Sequence, residues 1–280
     1  VNKVRLTGGE PLLRQDLHTL IRSLASKLEL RDLALTTNGV FLSSQAQALR
    51  SAGLSRITVS MDTLRPERFV KLTRLDSHRA VLAGIDAAIE AGFDNIKLDT
   101  VVIRGVNDDE LSDLIDYGRE HHLEVRFIEY MDVGGATQWS NEAVVSRREM
   151  LSTLSEKYGP ITPVKKLNSA PADRFTFPDG TIFGIISSTT QPFCRSCDRS
   201  RLTADGIWYL CLYAHSGTDL RKSLREGASI GDLQDQITSV WKERVDRGAE
   251  MRLAEVQREP LIPVRRLREE PHLEMHTRGG

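Results

Sequence analysis

Three cysteines, Cys194, Cys197 and Cys211, stand in the stretch FCRSCDRSRLTADGIWYLC, and the 280-residue sequence has no others. Their spacing, Cys-x2-Cys-x13-Cys, is one thiolate short of a closed tetrahedral metal site and one too many for a single disulfide. Two kinds of chemistry fit it. His215, four residues past Cys211, could complete a Cys3His zinc site. Alternatively, three thiolates hold an iron–sulfur cluster and leave one iron open to a ligand. Arg195, Arg199 and Arg201 interleave with the cysteines. Guanidinium forks bind phosphate bidentately, so an open iron beside them predicts an anionic, polyphosphate ligand. A solvated basic face is the plainer reading of the same arginines.

The elements that must position these residues follow from the hydrophobic pattern. Short β-branched runs (KVRLT, LALTT, RITVS, IKLDTVVI, EVRFIEY) alternate over the first 130 residues with segments of helical period. Leu17, Leu20, Ile21, Leu24 and Leu28 share one such helical face; Val81, Ile85 and Ile89 share another, and Leu111, Leu114 and Ile115 a third. This is a βαβ succession, hence a parallel sheet with crossover helices. Each predicted strand ends in a polar or Gly-bearing cluster: TGGEP, TTNG, SMD, RGVND and YMDVGG. Parallel barrels assemble their active sites at these strand ends, so five of them predict one shared mouth. After Gly135 the rhythm changes. Strands near 174–177 and 181–187 flank the turn PDG and predict an antiparallel hairpin, and a charged helical region runs from about 218 to 255. A boundary is therefore expected near residue 136, giving domains 1–135 and 136–280.

Bulk properties exclude more than they identify. The 38 Lys plus Arg nearly balance the 39 Asp plus Glu, which leaves no general charge for nucleic acid or a membrane surface. No apolar run approaches the length of a membrane span and no signal peptide precedes the first strand, so the expected compartment is the cytoplasm, where thiols stay reduced.

The set RLTGGEPLLR, LTTNG, VSMD, RFIEYMD, FCRSCDRSRLTADG and a terminal GG resembles the GTP 3',8-cyclase family, the radical S-adenosylmethionine (SAM) enzymes of molybdenum cofactor biosynthesis. The match covers essentially the whole chain. GGEP alone would indicate only the wider radical SAM superfamily; the cysteine motif with its arginines narrows it. The resemblance implies a partial (β/α)6 barrel of the TIM type and a C-terminal α+β domain that carries a second 4Fe-4S site. It further implies that one cluster cleaves SAM to a 5'-deoxyadenosyl radical. The second holds GTP through its open iron while the ribose C3' is joined to C8 of guanine. The product passes to a cyclic pyranopterin monophosphate synthase. Expected partners are GTP, an electron donor, that synthase and a second copy of the chain, with no nucleic acid and no membrane.

Carried over by this resemblance, Cys194, Cys197 and Cys211 are the ligands of the GTP-side 4Fe-4S cluster. Gly8, Gly9, Glu10, Ser60 and Met131 contact SAM, although Met131 also fits ordinary core packing. Arg5, Thr36, Lys97, Arg199 and Arg201 contact GTP. Arg5 and Lys97 lie inside predicted strands, where a buried cation needs an anionic partner. Lys3 and Arg126 occupy comparable positions but read equally well as surface charges, and Arg104 reads as solvated. Gly279 and Gly280 form the family's GG tail, which enters the active site and supports turnover.

The superfamily's Cys-x3-Cys-x2-Cys motif belongs upstream of GGEP, yet no cysteine precedes Cys194 and position 1 is Val. The chain is accordingly expected to be an N-terminally incomplete, inactive form of such an enzyme, with its first barrel strand missing. Two rivals remain open on the residues alone: a non-catalytic, zinc-stabilised nucleotide-binding α/β protein, and another radical SAM enzyme with an auxiliary cluster.

Overall fold

The computed structural model describes residues 1–133, 139–255, 258–270 and 273–278. The chain divides into two compact units. The first comprises Val1–Tyr130, Glu142–Leu167 and Ala172–Ser187; the second comprises Met131–Asn141, Asn168–Pro171 and Ser188–Gly280.

In the first unit the predicted alternation is present. Strands β1 (Lys3–Leu6), β2 (Asp32–Thr37), β3 (Arg56–Ser60), β4 (Lys97–Val102) and β5 (Glu124–Glu129) are separated by helices α1 (Leu17–Ala25), α2 (Ala46–Ser51), α3 (Pro66–Thr73), α4 (His78–Glu90) and α5 (Leu111–Glu120). Helix α6 (Arg147–Tyr158) precedes β6 (Thr162–Pro163), β7 (Asp173–Thr176) and β8 (Ile182–Ile186). The sheet order is β1-β2-β3-β4-β5-β8-β7-β6. Strands β1 to β5 and β8 run parallel, and β7 pairs antiparallel with β8 as the PDG turn predicts. The α/β class with a largely parallel sheet is therefore as expected.

Strand alternation gives this sheet two unlike faces. Leu33, Leu35, Ile57, Val59, Leu98, Val125, Phe127, Phe183 and Ile185 join Leu17, Ile21, Leu49, Val81, Ile85 and Leu114 of the helices in one apolar core. Each buried Leu, Ile or Phe contributes about 1.5–3 kcal/mol by leaving water. The opposite face is polar, and its rows are set by the register. Thr36, Thr58, Lys97 and Glu124 lie side by side, as do Ser60, Asp99 and Arg126.

Two details depart from the sequence reading. Leu28 does not extend the face of α1; the helix stops at Ala25 and Leu28 is exposed. Arg104 is not merely solvated. Its guanidinium donates to the backbone carbonyls of Glu142 and Val144 and to Glu149 Oε1 at 2.7 Å. Glu149 also closes the Ser146–Glu149 capping box of α6.

The second unit contains a three-stranded antiparallel sheet, β11-β10-β9, built from β9 (Arg201–Leu202), β10 (Ile207–Tyr209) and β11 (Thr218–Asp219). The charged helical region beyond residue 218 comprises three helices, α7 (Leu220–Arg225), α8 (Ile230–Lys242) and α9 (Gly248–Leu253), followed by α10 (Val264–Glu269). Asp219 caps α7, and Ser229 with Asp232 closes a capping box on α8.

Candidate active site

The strand ends of the first unit carry the expected turn. Gly8 holds φ +120°, a conformation that side chains rarely adopt, and a Cβ placed on Gly8 or Gly9 would meet no protein atom. The backbone of these glycines thus lies open to close approach by a ligand. Glu10 is used differently. Its Oε1 accepts from Leu12 N and from Thr37 Oγ1, and its Oε2 from Asn38 N at 2.8 Å. The carboxylate fastens the end of β1 to the end of β2, which leaves the glycine backbone as the part free to meet a substrate. Ser60 stands exposed at the end of β3.

On the polar face of the sheet, Arg5 Nη1 donates to Thr36 Oγ1 (2.7 Å) and Thr58 Oγ1 (3.0 Å). Arg5 is exposed as a residue and is not the buried cation its strand position predicts; local desolvation of its guanidinium, followed in size by the opposing pull of Asp99, leaves it below the ordinary arginine value. Lys97 is 5% exposed and donates only weakly, to Asn95 O at 3.4 Å. Burial, reinforced by Arg126, draws its ammonium down to about 8. Arg126 is not a surface charge: its side chain is 12% exposed and pairs with Glu124 at 2.7 Å. Two hydroxyls and a weak carbonyl contact do not neutralise Arg5 and Lys97, so this face is suited to an anion.

The state of Lys97 predicts a pH dependence. Its ammonium is charged below about 8 and is lost above that value. Affinity for inorganic tripolyphosphate should fall by up to about tenfold per pH unit above 8, and Lys97→Gln should abolish that slope. In the free protein the sign for stability is opposite. The unfolded chain keeps the proton that the folded chain gives up between about 8 and 10.5, so the burial penalty fades across that window. Equilibrium dialysis and thermal unfolding across pH 7–10 check both.

In the second unit Cys194 lies close to amide donors and Cys197 to amide and guanidinium donors. All three are free and half-buried, and Cys194 and Cys211 join the small core of Val133, Tyr213 and Ala249. Burial raises the Cys194 thiol, against which the backbone N–H groups of Glu250 and Ala249 donate to it. Burial also opposes ionisation of Cys197. There the backbone N–H and charge of Arg199 and a hydrogen bond from Arg244 win, and the thiol falls below the usual cysteine value. Arg244 reaches Cys197 Sγ at 3.6 Å and Cys197 O at 3.1 Å. Gly248 passes so close to Cys211 that a Cβ there would lie 3.2 Å from its Sγ and 2.3 Å from Tyr213 Cβ. Only glycine fits at the start of α9.

Arg199 stacks over Phe193 at 5.0 Å. The Nε atoms of Arg199 and Arg201 are both shielded from solvent without a hydrogen-bond partner. Burial, then the charge of Arg199, pulls Arg201 down to about 10, so it stays charged at neutral pH. Two buried donors facing no acceptor call for an anionic ligand. Arg195 is exposed and takes no part.

Met131 lies in the apolar core around Cys194, Cys211 and Tyr213, where it packs as well as borders the cysteines. Its neighbour Asp132 went unnoticed in the sequence. Its carboxylate is fully buried and accepts from Arg252 Nε (2.8 Å), Arg258 Nε (2.7 Å) and Arg258 Nη2 (3.0 Å). Arg258 stacks on Trp139 at 5.0 Å, and Asp132 O accepts from Leu261 N at 2.7 Å. This network ties Asp132 and Trp139 to the segment that follows α9. Gly279 and Gly280 lie outside the described residues.

The relatives of the chain decide between the readings left open above. Residues 1–118 match the Radical SAM superfamily and residues 123–250 match Molybdenum Cofactor Synthesis C. GTP 3',8-cyclase 3 of Mycobacterium bovis is 58% identical over 284 residues, spanning 100% of this chain and 75% of its own. GTP 3',8-cyclase 1 of Mycobacterium tuberculosis is 56% identical, with 100% and 79% covered, and the GTP 3',8-cyclase of Aquifex aeolicus is 42% identical, with 100% and 81% covered. The chain belongs to the GTP 3',8-cyclase family. Among solved structures, Streptococcus suis SuiB bound to S-adenosylmethionine shares the fold, with a TM-score of 0.60 at 12% identity over 90% of this chain and 56% of SuiB.

Radical SAM family membership implies 4Fe-4S and SAM, and the residues present can be tested against both. The open backbone at Gly8 and Gly9 fits SAM. The three half-buried thiols, two of them supplied with amide or guanidinium donors, fit a thiolate-ligated cluster. A zinc site of the Cys3His type gains nothing here. His215 is exposed, and among the described residues no three His, Cys, Asp or Glu side chains, the three cysteines included, stand close enough together to hold a single metal ion. The cysteines of the sequence are 194, 197 and 211, and none precedes the Gly8–Gly9 turn. No helix among the described residues is long and apolar enough to cross a membrane.

Proposed function

We propose that this chain is the SAM-cradling and GTP-binding part of a radical SAM GTP 3',8-cyclase acting in molybdenum cofactor biosynthesis. The observation that carries the reading is the pair of buried, unpartnered guanidinium nitrogens of Arg199 and Arg201 beside the three-cysteine set. A mononuclear structural metal has no use for such donors, whereas a nucleotide triphosphate does.

When bound, the clusters and SAM supply the radical chemistry that joins ribose C3' to guanine C8. The remaining tasks fall to protein groups. Cys194, Cys197 and Cys211 would hold the second 4Fe-4S cluster, which would supply a Lewis-acidic contact to the nucleotide. Arg199 and Arg201 donate to the triphosphate from the second unit, and Arg5, Thr36 and Lys97 form the anion site of the first. The Gly8–Gly9 backbone and Ser60 receive SAM, and Glu10 holds their loop in place through Thr37 and Asn38. Gly279 and Gly280 are assigned to turnover as the family's GG tail. The product goes to a cyclic pyranopterin monophosphate synthase, the reducing equivalents come from an electron donor, and a homodimer is the proposed assembly. The proposed domain division is 1–135 and 136–280, and the proposed compartment is the cytoplasm.

The test is binding under argon after iron and sulfide reconstitution, comparing GTP, ATP and inorganic tripolyphosphate. GTP should bind at least about tenfold tighter than ATP. Equal binding of GTP and ATP would remove the guanine from the assignment, and binding of neither would remove the nucleotide.

A further inference from the structure

On the polar face of the first unit one shielded carboxylate oxygen has neither a hydrogen bond nor a role in the scheme above, and it belongs to Asp99. Asp99 sits on β4 one step along the same face from Lys97, and in its own register row it lies between Ser60 and Arg126. Its Oδ1 is shielded from solvent and has no hydrogen-bond partner. Arg126, Arg5 and Lys97 act on it only through their charges. The nearby carboxylates have different lives. Asp32 pairs with Arg56, and Glu124 pairs with Arg126 and with Arg174 at 3.3 Å.

A shielded carboxylate with no donor is expensive to keep unless a ligand supplies the donor. Burial outweighs even its three cationic neighbours and holds the Asp99 carboxyl above the ordinary aspartate value. An ionised carboxylate only accepts, so its ligand group must be an O–H or N–H donor and not a phosphate. The surrounding cations narrow the choice. Arg5, Lys97 and Arg126 suit phosphate, and the hydroxyls covalently nearest to a nucleotide's phosphates are those of its sugar.

We propose that Asp99 reads the sugar of the nucleotide, its carboxylate accepting a hydrogen bond from a ribose hydroxyl of GTP. The proposal rests on the GTP reading of the site. It makes Asp99 a specificity residue: a deoxynucleotide lacking that hydroxyl leaves the carboxylate buried and unpaired, and is rejected for that reason. It also places the sugar between the Lys97 row and Ser60, the residue assigned to SAM, which is where a hydrogen must leave the ribose.

The test measures binding of GTP, 2'-deoxy-GTP, 3'-deoxy-GTP, inorganic tripolyphosphate and S-adenosylhomocysteine to the reconstituted full chain, as wild type, Asp99→Asn and Asp99→Ala. The wild type should prefer GTP to at least one deoxynucleotide by about tenfold or more. That ratio should fall to a few-fold in Asp99→Asn, which keeps a neutral acceptor, and to near one in Asp99→Ala. Tripolyphosphate should bind Asp99→Ala as well as or better than wild type, because one negative charge has left a cationic face. Reading the ratio in both variants keeps the test decisive if one of them fails to fold. A purely structural Asp99 would leave the ratio untouched. Retained discrimination in the variants, or none in the wild type, overturns the Asp99 assignment and leaves GTP binding standing. Weakened binding of S-adenosylhomocysteine with unchanged GTP selectivity would give the hydroxyl to SAM and overturn it equally. Absence of GTP binding by the wild type overturns the underlying reading as well.

Discussion

Asp132→Ala is expected to destabilise the cysteine-bearing unit by about 3–5 kcal/mol. The carboxylate is fully buried and is shared by Arg252 and Arg258, whose side chains are 13% and 4% exposed. Removing it strands the buried Arg258 guanidinium, which keeps only the Thr189 carbonyl, while Arg252 retains Glu255 and the Glu259 carbonyl; the penalty of the uncompensated charge exceeds what the network contributes when intact. Arg258 cannot easily leave, since it stacks on Trp139 and donates to Thr189 O at 3.3 Å. Asp132→Asn should cost less, because the amide keeps one acceptor although it loses the charge. Burial raises the Asp132 carboxyl, but Arg258 and Arg252 more than offset it and hold it below the ordinary aspartate value. Its contribution is therefore present above the unfolded value of 3.8 and is lost as pH falls through the lower folded value. Thermal and urea unfolding of the three proteins checks this. A loss below about 1 kcal/mol in Asp132→Ala would show that the network is dispensable.

Arg201→Ala should move stability and binding in opposite directions. The guanidinium is buried with an unpartnered Nε and is further disfavoured by Arg199, so its removal should leave the ligand-free protein as stable as before or more so. GTP affinity should meanwhile fall by about a hundredfold, the value of one or two charge-assisted hydrogen bonds. Arg201→Lys should recover only part of the loss, because an ammonium cannot reproduce the planar fork. The two signs together separate a binding residue from a structural one. A variant that lost stability and affinity in step would show Arg201 to be part of the framework.

Much of this was legible in the residues because the relevant patterns are local. Period-2 and period-3.6 hydrophobicity gave the parallel succession, and the polar strand ends located the turn at Gly8 and Gly9. The cysteine spacing and its arginines pointed to the second site proposed above. What escaped had one common cause, that side-chain partners are chosen by tertiary structure. Glu10 read only as a ligand contact, yet its carboxylate also accepts from Leu12, Thr37 and Asn38, the last two 27 and 28 residues away. Arg104 read as solvated because nothing nearby in sequence announces Glu149. Asp132 lay in a recognised motif, yet its partners are 120 and 126 residues distant in a region that read only as charged helix. Asp99 did leave a signal. In KLD it shares the strand face of Lys97, and a carboxylate there contradicts a purely phosphate-binding surface.

The central claim is that the three cysteines hold a cluster whose open iron takes GTP. Its most direct test is iron and zinc content together with GTP affinity, measured anaerobically on the reconstituted chain and on Cys211→Ser. The account predicts about four irons per chain in the wild type, loss of that cluster in Cys211→Ser, and GTP binding weakened in parallel. One zinc per chain, or GTP binding that is indifferent to Cys211, would contradict it.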